Sequence, residues 1–168
     1  MIKKAKRYFN TSGPNIPGRH YTLKREHLIK KGCELVKDER YFTIWAPRQT
    51  GKSTYFRLLA VELEKNGYEV VHTNLENFKN VSEHDCVKFL SNEFKAGLNI
   101  EITSRNFAMF HDELKRIEDR NIVFIIDEIE GLNEDLLGQF LHTIRNLYHF
   151  RTEHCLKSVV LVGVSNIV

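Results

Sequence analysis

"FTIWAPRQTGKSTYF", residues 42–56, is the stretch on which the fold turns. A β-branched and aromatic run ending in Trp45 gives way to Ala46-Pro47-Arg48-Gln49-Thr50-Gly51-Lys52-Ser53. From Ser53 the apolar residues recur at helical spacing, with Phe56, Leu59, Ala60 and Leu63 on one face. The reading is strand, tight loop, helix. Such a loop can aim several backbone N–H groups at an anion, and the start of the helix adds a partial positive charge. Gly51 lets the backbone approach a phosphate, Lys52 has the reach for β- and γ-phosphates, and Ser53 can offer its hydroxyl to Mg²⁺. The phosphate-loop pattern G-x-x-x-x-G-K-[ST] has Ala46 at its first glycine. That position closes the strand and requires smallness more than a positive φ, so Ala fits, and Pro47 stiffens the loop by fixing one φ. The expected anion cradle is therefore Ala46 to Ser53, with Thr54 beside it.

Working outward, "LKREHLIKKGCELVKD" (23–38) precedes the strand and reads as a helix with Leu23, His27/Leu28, Leu35 and Val36 on one stripe. Asn66-Gly67 stops the helix that follows the loop. "YEVVHTNLE" (68–76) is a second strand. "SEHDCVKFLSNEFKAGL" (82–98) is a helix with Ser82 as N-cap. "SRNFAMFHDELKRIEDR" (104–120) is another, with Phe107, Phe110, Leu114 and Ile117 as its core face. "NIVFIID" (121–127) is a third strand, "NEDLLGQFLHTIRNLYHF" (133–150) a helix capped by Asn133, and "SVVLVGVS" (158–165) a fourth strand. Strands alternating with helices predict an α/β fold, a parallel sheet covered on both faces. Strands three and four are continuous apolar runs, as doubly covered strands are.

Three of the four strands end in polar clusters, and ligands of open parallel sheets bind at the carboxyl ends of the strands. An Asp closing a buried strand is costly unless its charge is compensated. Mg²⁺ held through water by Asp127, beside Ser53, would do so. Glu128 is then placed to orient or deprotonate an attacking water, which points to hydrolysis. After the fourth strand, Asn166 is the candidate for contacting a γ-phosphate or that water, with Ser165 the weaker candidate.

The 168 residues suffice for one domain, and 42% hydrophobic with 28% charged residues describe a globular chain. Lys and Arg number 25 against 22 Asp and Glu, too mild an excess to argue nucleic-acid binding alone. Three scattered cysteines, 33, 86 and 155, read as reduced thiols of a cytoplasmic protein. No apolar run approaches a membrane span. The eight histidines form no metal-ligand spacing.

"APRQTGKST", "IVFIIDE" and "VVLVGVSN", in that order, resemble the P-loop, Walker B and sensor-1 segments of AAA-type and STAND-type ATPases. The similarity covers roughly residues 8–168, and the leader resembles that of prokaryotic proteins carrying an AAA-like ATPase domain. It implies a three-layer α/β/α P-loop NTPase with ATP and Mg²⁺ as cofactors, Lys52, Glu128 and Asn166 in catalysis, and Ser53 and Asp127 at the metal. In such families the segment before the first strand often holds adenine. Here that is "HYTLKRE", with Tyr21, Arg25 and Glu26 as candidates. Arg145 or Arg151 could serve as an arginine finger or be a solvated cation near a helix end. The expected organisation is a basic tail and Gly/Pro loop over 1–18 and an ATPase core over 19–168. That core would stop after the sensor-1 strand, without the family's fifth strand and helical lid.

Three functions follow. One is an Mg-ATP hydrolase whose turnover switches a larger assembly through a protein partner or self-association. The second is a nucleic-acid-handling ATPase, with "KKAKR" (3–7) and the adjoining Tyr8-Phe9 touching phosphates and a base. The third is a nucleotide-holding module with little hydrolysis.

Overall fold

The computed structural model describes residues 6–11, 15, 16 and 18–164. Four strands, β1 (Phe42–Trp45), β2 (Glu69–Asn74), β3 (Ile122–Asp127) and β4 (Leu156–Gly163), form one parallel sheet in the order β1-β4-β3-β2. Among the described residues five α-helices flank it: α1 (Glu26–Lys37), α2 (Lys52–Lys65), α3 (Glu83–Leu98), α4 (Phe107–Lys115) and α5 (Glu134–His149). The expected α/β class and parallel sheet are what the structure has.

Alternation along the strands divides the core into two layers. Val123 and Ile125 of β3 and Val160 and Val162 of β4 face α1 and α2, meeting Val36, Phe56, Leu59 and Leu63. Ile122, Phe124, Ile126, Val159 and Leu161 face the other way, onto α3, α4 and α5. All six residues of β3 are buried, which is why the stretch reads as an unbroken apolar run.

The helix starts follow capping chemistry. Ser82, Asn106 and Asn133 each accept the backbone N–H three residues on, satisfying a donor that the helix itself leaves unpaired. The core faces of α2 and α4 lie where the periodicity puts them, except that α4 ends at Lys115 and Ile117 packs from the segment beyond it. The stripe expected on α1 needs correction. Arg25 adopts a left-handed conformation (φ 49°), so the helix begins at Glu26, and Leu23 lies outside it, 77% exposed. The face that packs is Ile29, Gly32, Cys33 and Val36. The reason is Gly32: a Cβ there would stand 2.7 Å from the Tyr55 hydroxyl and 2.9 Å from a Leu59 methyl carbon, so α1 closes on α2 along this line.

Among the described residues no helix is long and apolar enough to cross a membrane, all three cysteines are free, and no cluster of three or more His, Cys, Asp or Glu is arranged to hold a metal.

His154 joins α5 to β4. Its Nε2 lies 2.9 Å from the Leu147 carbonyl, and its Nδ1 accepts the Leu156 N–H at 3.2 Å. That pair of bonds requires the neutral ring with the proton on Nε2. Burial, with the nearby charges of His111, Lys115 and Lys157 adding to it, holds the ring below its ordinary value of 6.5. A depressed folded pKa means stability is whole above 6.5 and drains as pH falls from there toward the folded value, where the unfolded chain binds the extra proton. His72, whose ring lies against Phe56 but reaches the surface of β2, is also held below its ordinary value, by partial desolvation and then by the Arg57 charge, and contributes in the same direction. Urea unfolding should therefore show stability falling below pH 6.5, by up to about 1.4 kcal/mol per pH unit for the buried His154 and by less for His72, whose exposure screens its charge. His154→Gln should flatten that slope without abolishing it.

Candidate functional site

At the carboxyl edge of the sheet the chain places a loop, two consecutive acids and a third acid that closes over them. Residues 46–51 join β1 to α2. Gln49 (φ 61°) and Gly51 (φ 85°) are left-handed, which curls the loop back over the first turn of α2. For Gln49 that conformation is uncommon and held by its surroundings; for Gly51 it is unstrained. Thr50 ties the loop by donating its hydroxyl to the Pro47 carbonyl at 2.8 Å. Gly51 is the N-cap of α2, no side chain caps this helix start, and its first turn holds no acid. Free first-turn N–H groups with no negative side chain among them suit an anion. Lys52 folds back over the loop, its Nζ donating to the Ala46 carbonyl at 3.0 Å and the Pro47 carbonyl at 3.1 Å.

β4 lies between β1 and β3, so the loop and the acids are separated by two strand spacings, about 10 Å. Asp127 ends β3 and is 4% exposed. It accepts the Glu128 N–H at 3.0 Å and forms no ion pair among the described residues. Burial pushes its carboxyl above the usual range; the Glu128 N–H, the Lys52 charge and the Asn74 side chain pull against that, while Glu130 adds to it. Glu128 is left-handed (φ 55°) and half-buried. Its carboxyl is raised by burial, then by a hydrogen bond that its protonated form donates to Glu130 and by the charges of Glu130 and Asp127, with Lys52 opposing. The ammonium of Lys52 thus acts on both acids across the intervening strand.

Glu130 was not singled out from the sequence. It sits in the 3-10 turn 129–131, and its Oε1 accepts the Val164 N–H at 2.8 Å, tying the turn after β3 to the end of β4. Its spacing of two from Glu128 was the available signal. Two glycines make this junction possible. A Cβ on Gly131 would stand 1.9 Å from the Leu75 carbonyl oxygen, so the turn rests directly on the backbone after β2. A Cβ on Gly163 would stand 2.5 Å from the Trp45 ring and 3.0 Å from Glu130 Oε2.

A profile of the AAA domain matches residues 36–168, a span that contains the loop, both acids and β4. The chain belongs to the AAA domain family. No curated protein sequence matches it. Similar solved structures include Drosophila ORC bound to poly(dA/dT) DNA and Cdc6, at 13% identity and a TM-score of 0.58, covering 85% of this chain and 25% of that one. Drosophila ORC bound to DNA is 14% identical with a TM-score of 0.55, covering 96% and 48%. AMPPCP-bound DnaA from Aquifex aeolicus is 15% identical with a TM-score of 0.49, covering 88% and 41%. The chain therefore spans a quarter to about half of these structures' length, and the similarity to the ORC chains establishes the shared AAA-like P-loop α/β fold.

The other expected site residues fall in three places. Tyr21 and Arg25 lie ahead of the matched span, on the segment entering α1, both exposed, and Arg25 lines a small pocket with Asn15, Leu23, Gly51, Thr54 and Tyr55. The segment is pinned there by the Asn15 N–H donating to Thr54 Oγ1 at 3.2 Å. Glu26 is the exposed first residue of α1. Arg145 is exposed on α5, whereas Arg151 lies over the Tyr148 ring at 4.5 Å and donates to the Tyr148 carbonyl, near the end of α5 that leads into β4. Ser165 and Asn166 lie outside the described residues.

Proposed function

We propose that this AAA domain binds Mg-ATP at the loop 46–54 and hydrolyses it, the turnover switching a larger assembly. The observation that carries the reading is the meeting, at one sheet edge, of an anion-suited loop with a buried acid whose charge lacks a full partner. Lys52 acts electrostatically on that acid and on its neighbour. Asp127 fits a divalent cation because burial penalises its charged form and a nearby cation would relieve the penalty. Bound Mg²⁺ would neutralise charge on the phosphate oxygens during transfer.

The roles of the chain's own residues follow from their placement. The N–H groups of the loop and of the first turn of α2 bind the phosphates. Lys52 exchanges its two carbonyl acceptors for β- and γ-phosphate oxygens. Ser53 and Asp127 hold the metal, Asp127 through water. Glu128, its carboxyl raised by burial and by Glu130, accepts the proton of the attacking water, because a higher pKa makes a carboxylate the better base. Asn166 contacts the γ-phosphate or that water, and Tyr21 and Arg25 flank the base.

Thermal melting tests the binding half. At about 100 times its dissociation constant, Mg-ATP should add roughly 2.7 kcal/mol. That corresponds to about 5–10 °C for a chain of this size. Lys52→Ala should melt normally without ligand and lose nearly all of that shift. Equal melting of both proteins, with and without Mg-ATP, would refute the reading.

A further inference from the structure

The charge of this chain is unevenly placed. Residues 1–25 hold seven Lys and Arg and no Asp or Glu, so the rest, with 18 against 22, carries a net charge of −4. The structure adds what the sequence could not: in the described part of that segment the aromatic rings lie on the surface. Phe9 is 79% exposed, Tyr21 51% and Tyr8 46%. They are also held in place. Tyr8 bridges His20, with the Tyr21 N–H donating to the Tyr8 carbonyl at 3.0 Å. His20 is buried and its Nδ1 accepts the Ile16 N–H at 3.0 Å, while Asn15 anchors the segment to α2. On this scaffold Phe9 lies against Tyr21 with centroids 4.9 Å apart, and the Arg19 guanidinium sits 5.8 Å from the Tyr8 ring centre.

Exposed aromatic faces beside cations, without acids among them, match the two needs of an unpaired nucleic-acid strand: a face on which a base can stack and positive charge along its phosphates. A duplex hides its base faces, and a tail serving only solvation has no use for pinned, outward-facing rings. We propose that Lys6, Arg7, Tyr8, Phe9 and Arg19 form a contact surface for single-stranded nucleic acid. None of these five residues is among those assigned to nucleotide, although Phe9 lies against Tyr21, and the proposal does not depend on that assignment.

Fluorescence anisotropy of a labelled oligothymidylate, with nucleotide-free full chain, tests it. Binding should weaken with salt at a log–log slope of about −0.7 per phosphate contact, and Arg7→Ala and Arg19→Ala should each flatten the slope by about 0.7. Phe9→Ala should weaken binding by about 5- to 150-fold at unchanged slope, since the ring stacks but carries no charge. Phe9→Trp should retain affinity, and the exposure of Phe9 predicts unchanged melting for both variants. Undetectable binding at low salt, Phe9→Ala binding like wild type, or a duplex of equal length bound as tightly would overturn the proposal. So would displacement of the oligonucleotide by phosphatidylserine/phosphatidylcholine vesicles. An Mg-ATP melting shift without oligonucleotide binding would sink this proposal alone.

Discussion

Glu128→Gln is expected to lower steady-state phosphate release by about 10²- to 10⁴-fold while leaving the Mg-ATP melting shift in place. The amide keeps the size and hydrogen-bonding reach of the carboxylate but cannot accept a proton, so the change isolates the base from binding. Its neighbour sharpens the test. Glu130 raises the Glu128 carboxyl both by a hydrogen bond and by its charge. Glu130→Gln removes that charge, and Glu128 should then titrate lower. The acid limb of the pH–rate profile should move to lower pH, with a smaller loss of rate than Glu128→Gln causes. Phosphate release by Glu128→Gln at the wild-type rate would show that the acid does not carry the chemistry.

Phe94→Ala should be the most damaging single change to the fold. Phe94 is fully buried on α3, meeting Phe124 of β3 edge-on at 5.0 Å and Phe110 of α4 at 5.9 Å. It therefore joins the sheet to two helices. Truncating such a ring costs about 3–5 kcal/mol, transfer and cavity terms together. For a chain of this size that lowers the melting temperature by roughly 6–20 °C, and it uses up a large part of a typical domain's 5–15 kcal/mol. Phe94→Leu, which keeps most of the volume, should cost less than half as much. Melting curves of the two variants check both statements.

Most of the fold was legible because local chemistry and tertiary structure agree. The apolar runs of β3 and β4 announce strands covered on both faces, and Ser82 and Asn133 cap helices as their residue types predict. Legibility fails where a contact distant in sequence decides. The packed face of α1 is set by Gly32 meeting Tyr55 and Leu59, which no periodicity within α1 reveals. The site shows the same division. The loop and the Asp127-Glu128 pair stand out because their residue types are unusual after apolar strands. Glu130 did not stand out, since its partner is the backbone of Val164, 34 positions away. Nor does the sequence indicate that Lys52 leans on the carbonyls of its own loop.

Gly163 has a mechanical consequence. A methyl group there would run into the Trp45 ring and stand at the limit of contact with the Glu130 carboxylate. Sliding β4 by one residue along its neighbours would bring Val162 or Val164 into that place and turn every other β4 side chain to the wrong layer. The strand is thus indexed at its tip as well as along its length. Val164 therefore leaves the sheet at a fixed height between the lysine loop and the acids, and the glycine works as a detent for the end of the strand.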